Sequence, residues 1–301
     1  MKTFHFNKII ILQSINPCDS SQKLLCEPGP YLKTEIDKKL AELKANDNSY
    51  KDVVCELKFI NSIDEWQNEW TKIVEDCANG IKPIIHIVSH GSKEALYINN
   101  NGTALPILWM DVYSVLEKAN IACHNNIFVT MCVCYGFHSL KRLLKDQHRI
   151  PFVGILASPD TVHVYDAKVR FTDFYLSLIT GRDVYEAMKL VLDDINKVWS
   201  VIGSKPNDLI IKFADDLFVE NFKEVYNLRQ DPNYLKREAI MSLWSSGLPV
   251  SENIIQLYVE EYNKRIPEIY QKMVDNKFMF DLYPEERQRF DIPSNLKDLM
   301  K

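Results

Sequence analysis

Glycine is scarce, with 9 in 301 residues, which argues against a loop-dominated or repetitive architecture. A basic excess is also missing. Lys and Arg number 36 against 41 Asp and Glu, a net charge of −5, so nothing marks the chain as a nucleic-acid binder. No apolar stretch nears the ~18 residues of a membrane span, so neither nucleic acid nor membrane is an expected partner. The run Ile9-Ile10-Ile11-Leu12 is too short and too polar-flanked for a secretory signal. The expected compartment is therefore the cytoplasm. Neither Gly-x-Gly-x-x-Gly nor Gly-Lys-Ser/Thr occurs, which leaves a nucleotide-dependent enzyme the least supported class. The 7 cysteines are odd in number and scattered, so in an unsecreted chain they read as reduced thiols, mostly core filler.

With 46% hydrophobic and 26% charged residues, the chain is ordinary globular protein, long enough for one large domain or two. Its first 200 or so residues alternate strand-like and helix-like segments. Lys8 to Ile15 has strand length, Tyr31 to Ala45 has helical spacing, and Asp52 to Ile60 alternates as a strand. Ser62-Ile63-Asp64-Glu65 has the form of a capping box opening a helix that stops at Asn79-Gly80. A strand over Ile84–Val88 follows, then a small hairpin around Asn99–Gly102 and a helix over 108–122. Further strands are expected at 127–133 and 152–156, and helices at 138–145, 166–179 and 182–196. This order predicts an α/β fold with a mostly parallel central sheet and helices on both faces. After residue 200 the alternation fades into an aromatic, helix-rich C-terminal extension, with a helix from Ser251 to about Ile266.

Two strands carry the chemistry. Ile84-Ile85-His86-Ile87-Val88-Ser89-His90-Gly91 ends in histidine and glycine, and Ile127-Phe128-Val129-Thr130-Met131-Cys132-Val133-Cys134-Tyr135-Gly136 ends in cysteine and glycine. Parallel strands present reactive groups at their carboxyl edge, where loops leave the core. A Cys and a His delivered there make a thiolate–imidazole couple. Gly91 lets a ligand approach the backbone, and its amide can donate to a developing oxyanion. A strand-end His90 that merely bonds a carbonyl is the plainer reading. His86 lies four residues earlier on the same strand face, roughly 13 Å from His90, too far to share a metal with it, and reads as buried and structural. Cys132-x-Cys134 raises zinc as an alternative, but structural zinc sites use wider gaps and a second ligand pair, and none is present. No metal and no cofactor is expected. Both thiols share a strand face; Cys134, beside the turn and Gly136, is the preferred nucleophile and Cys132 the alternative.

These residues resemble a known group. His86-Ile87-Val88-Ser89-His90-Gly91 matches the His-x-x-x-His-Gly signature of CHAT domains, a branch of the caspase-like cysteine peptidases. In caspases the nucleophilic Cys-x-Gly follows roughly 50 residues after the histidine. Here Cys134-Tyr135-Gly136 follows 44 positions after His90. Phe152 to Met188, with Asp166-Ala167, Phe174-Tyr175 and Gly181 to Ala187, resembles the strand, loop and helix pair that come next in CHAT domains. The chain departs from the family's frequent Ala-Cys-x-Ser-Gly in lacking that serine and in carrying Cys132. The likeness covers roughly residues 5 to 195.

The resemblance implies a three-layer caspase-like peptidase domain over 1–200, with 201–301 as the helical extension. It implies a thiol endopeptidase in which Cys134 attacks the scissile carbonyl, His90 moves the proton, and the amides of Gly91 and Cys134 hold the oxyanion. Specificity would come from the loop Ala157–His163. There Asp160 could select a basic residue before the scissile bond, or could simply cap a turn after Pro159. Arg170 could favour an acidic one, but in mid-helix it reads as solvent-facing. Expected partners are a protein or peptide substrate and a separate activator or sensor protein, as for defence effectors of this kind. The competing expectation is a catalytically inactive caspase-like module that binds or scaffolds through its aromatic tail.

Overall fold

The computed structural model describes residues 5–15, 27–47, 50–100, 102–137, 149–162, 164–181, 184, 186–187, 210–229, 231–290, 292–293 and 298. The architecture is α/β. Strands β1 (Lys8–Ser14), β2 (Val54–Phe59), β3 (Pro83–Gly91), β6 (Phe128–Cys132), β7 (Gly154–Ala157) and β8 (Ile210–Phe213) lie side by side in the order β2-β1-β3-β6-β7-β8. All neighbours run parallel except β8, which is antiparallel to β7. The central strands are buried on both faces, which is why Ile9 to Leu12 is an unbroken apolar run and Ile84 to Val88 is interrupted only by the buried His86.

Between strands come α1 (Pro28–Asn46), α2 (Ile63–Ala78), α3 (Trp109–Ala122) and α4 (Val164–Ile179). The chain steps from β1 outward to β2, then back across β1 to β3. Right-handed crossovers in opposite directions put α1 and α2 on opposite faces. Accordingly α1 packs with α4, and α2 with α3. The reversal of direction between β1 and β3 is a topological switch point, where a crevice opens at the strands' carboxyl ends.

Local signals act as their chemistry requires. Ser62 Oγ accepts the Glu65 N–H at 3.0 Å, and Glu65 Oε2 accepts the Asn61 N–H at 2.6 Å, one residue outside the cap itself. Trp66, Trp70, Ile73 and Cys77 then form the buried stripe of α2. The helix closes at Gly80, whose φ of +90° allows its N–H to reach the Cys77 carbonyl at 3.0 Å and that of Ile81 to reach Asp76 at 3.0 Å. Past α3, the buried Asn120 amide donates to Asn125 Oδ1 at 2.9 Å and the Ile150 carbonyl at 3.0 Å, and its oxygen accepts the Ile127 N–H at 2.9 Å. That network sets where β6 begins, and so which residue reaches its end.

A hairpin of β4 (Ala95–Asn100) and β5 (Thr103–Leu108) hangs on the last two residues of β3, with His90 opposite Tyr97 and Gly91 opposite Leu96. Helix α4 sets Phe171, Phe174 and Tyr175 on the sheet and Lys168 over the Tyr31 ring of α1, and leaves Val169 and Asp173 exposed on its outer face. Arg170 is buried rather than solvent-facing; it falls on the same side of α4 as Ser177 and as Phe174, which stacks on Phe128 of β6.

The described residues form two compact units, one up to Phe213 and one of Arg149 with the residues from Ala214 on. Strand β8 belongs to the first, although its short Ile-Ile-Lys-Phe run carries no alternation long enough to announce it. The second unit is helical, with α5 (Ala214–Arg229), α6 (Pro232–Ser245), α7 (Glu252–Lys277) and a 3-10 turn at Pro284–Arg289. Helix α7 does not stop at Ile266. It continues through Pro267 because Ile266, Tyr270 and Val274 extend one buried stripe. The helix expected at 138–145 lies outside the described residues, as does most of that at 182–196. Among the described residues no helix is long and apolar enough to cross a membrane.

Candidate active site

Strands β3 and β6 are parallel neighbours with Ile84 opposite Phe128, His86 opposite Thr130 and Val88 opposite Cys132. Neighbouring strands run ~5 Å apart. His90 and Cys134 each stand two residues beyond the last of these pairs, so the register delivers both to one carboxyl edge. The backbones meet there. A methyl group built on Gly91 would collide with the Cys134 carbonyl oxygen and with Val133 Cγ1. Only glycine permits that approach, which holds the residue after His90 against the residue bearing the thiol.

Beyond Cys132 the chain turns tightly, the Gly136 N–H reaching the Val133 carbonyl at 3.2 Å. Tyr135, with φ of 59°, occupies the left-handed region that side chains seldom adopt. The loop after β7 clasps this turn. Tyr135 N–H donates to the Asp160 carbonyl at 2.9 Å, and Phe137 N–H to the Ser158 carbonyl at 2.9 Å. The Val162 N–H donates to Cys134 Sγ at 3.3 Å. Lys93 Nζ stands 5.7 Å from the centre of the Tyr135 ring.

The two thiols differ in setting. Cys132 is buried, and burial pushes its thiol up to about 12, with Cys134 adding to the rise. Cys134 is half-buried at the edge. The His90 ring is exposed and makes no hydrogen bond among the described residues, and the Cys134 amide likewise has no acceptor among them. The edge thus combines an accessible thiol, a solvent-facing imidazole on the adjoining strand, and an amide with its donor open. Such a set can generate a nucleophile, carry a proton and bind an oxyanion.

His86 lies beneath, in the core. Its Nδ1 is 2.6 Å from Thr130 Oγ1, which in turn is 2.7 Å from Tyr175 Oη. Phe171 and Tyr175 of α4 meet its ring edge-on, with centres 4.8 and 5.7 Å away. Burial there drives the imidazole down to about 3, so it is neutral.

Asp160 is exposed, and its Oδ1 accepts the Thr161 N–H at 2.8 Å, so its carboxylate is tied into its own turn while its carbonyl holds Tyr135. Among the described residues, no group of three or more His, Cys, Asp or Glu is arranged to hold a metal ion. The reading of residue types did not reach the Val162 amide, since a backbone donor leaves no mark in sequence. No protein-family model matches the chain, and no curated protein matches it.

Proposed function

We propose that the protein is a cytoplasmic cysteine endopeptidase of the caspase-like kind, with Cys134 as nucleophile and His90 as its proton carrier. The observation that supports this most is the close approach of Gly91 to the Cys134 carbonyl, which holds the ends of β3 and β6 together. His90 takes the Cys134 thiol proton, the sulfur attacks the scissile carbonyl carbon, and the amides of Gly91 and Cys134 stabilise the oxyanion. As the C–N bond breaks, His90 gives a proton to the leaving amine. Water, deprotonated by His90, then hydrolyses the thioester and restores the thiol. The Val162 N–H donates to the sulfur and so helps to hold it at the strand edge. Cys132 is assigned no part in the reaction, because it is buried behind the turn. The substrate's backbone would lie along the loop Ser158–Val162, with Asp160 beside the residue that precedes the scissile bond.

The test is cleavage of a peptide library by the wild type and by Cys134→Ala, Cys132→Ala and His90→Ala, with iodoacetamide labelling to find the reactive thiol. Loss of cleavage in Cys134→Ala and His90→Ala, with Cys132→Ala active, is expected. Retained activity in all three overturns the assignment. If no peptide is cut and neither thiol labels faster than free cysteine, the chain is a binding module instead.

A further inference from the structure

The helical unit exposes more apolar surface than its own packing uses. Its α6–α7 hairpin closes on Ala239, Leu243 and Ile255, with Ile254, Tyr258 and Val259 packed against them. Alongside runs an open groove of about 370 Å³, lined by Leu243 of α6 and, on α7, by Ile254, Leu257, Tyr258, Glu261, Tyr262, Arg265 and Ile269. The α7 positions recur every three or four residues, so they form one stripe ~22 Å long at 1.5 Å per residue. Leu257 is 64% exposed, and at the α6–α7 turn Trp244 is 79% exposed, beside the exposed Met241, Leu248 and Val250. A patch of this kind, rimmed by charge, marks an interaction surface.

The stripe's two charges indicate what covers it. Glu261 and Arg265 are one turn apart, in the order that favours a pair along a helix. Yet neither stands within ion-pair distance of an opposite charge among the described residues; Arg265 acts on the Glu268 carboxylate only from further off, while Lys272 holds that carboxylate at 2.7 Å. The stripe is complementary to itself. When α7 meets a second α7 antiparallel about a two-fold axis level with Asn263 but on the stripe's side of the helix, Glu261 faces Arg265 of the partner and Arg265 faces Glu261 of the partner. In the same register Leu257 faces Ile269 of the partner, and Tyr262 lies next to the axis. An interface in which one patch serves both sides is what a two-fold dimer requires.

We propose that a second copy of this chain docks on the α7 stripe, forming an antiparallel two-fold dimer held by the apolar groove and two reciprocal Glu261–Arg265 ion pairs. The proposal is independent of the chemistry at Cys134. Sedimentation velocity on the full chain at tens of micromolar tests it, with Glu261→Arg, Arg265→Glu and the double exchange Glu261→Arg/Arg265→Glu. These residues are exposed on the helix surface, so the variants fold, which circular dichroism checks. The wild type is expected as a dimer. Each single reversal sets like charges face to face twice and weakens the dimer at least about tenfold, and the double exchange restores it. A monomeric wild type, a single reversal that leaves the dimer intact, or a double exchange that stays monomeric overturns the proposal.

Discussion

Lowering the pH from about 7.5 to about 5.5 should weaken the sheet unit through His86 alone by about 1.4 kcal/mol. The imidazole is held down to about 3 by burial, against ~6.5 in an unfolded chain. Below about 6.5 the unfolded chain therefore binds a proton that the folded chain refuses. The stability is complete above that value and is lost as the pH falls toward 3. At pH 5.5 the unfolded histidine is about 90% protonated and the folded one is not, a roughly elevenfold shift in the equilibrium, or about 1.4 kcal/mol. The result does not depend on how far below about 4 the folded ring titrates, because only the unfolded chain takes up the proton in this window. For a unit of this size the loss corresponds to about 3–6 °C in Tm. Other groups also titrate, so the measurement is a difference: thermal unfolding of the wild type and of His86→Phe, followed by circular dichroism across the pH range. Phenylalanine cannot titrate, and Thr130 keeps its bond to Tyr175 in the variant. If the gap between the two Tm curves does not change with pH, His86 is not a buried neutral imidazole and the reasoning fails.

Gly91→Ala should cost about 1–3 kcal/mol, because the new methyl meets the Cys134 carbonyl and Val133 in a packed region; a Tm within a degree of wild type would refute the close approach. In competitive alkylation followed by mass spectrometry, Cys134 should label at least about tenfold faster than Cys132, whose thiol is buried and pushed up to about 12. Equal rates would mean that the turn does not shield Cys132. Ser62→Ala should cost about 1 kcal/mol in urea unfolding, since it strips the Glu65 amide at the start of α2 of its acceptor. No change in midpoint would show that the cap is idle.

Much of the site was legible in residue order. The mostly apolar runs ending in His90-Gly91 and Cys134-Tyr135-Gly136 pointed to central parallel strands, and β3 and β6 are neighbours. The four-residue gap on one strand face separated His86 from His90, and His86 lies in the core. Arg170 misled, because the spacing of a helix does not say how far round its circumference the rest of the fold reaches. Strand β8 was missed because four residues are too few for a period to emerge, and it exists through its pairing with β7.

What the sequence determined by itself is what short-range chemistry governs. Alternation and apolar runs made the strands, Ser62 and Gly80 bounded α2, and glycine at position 91 made a close backbone approach available. Tertiary structure alone decided the rest. Only the sheet's order sets β3 beside β6, and only the turn after Val133, clasped by Ser158 to Val162, buries one thiol and leaves the other at the edge. Burial and amide contacts come from residues distant in the chain, and two cysteines on the same strand face differ in nothing that their neighbours in sequence record.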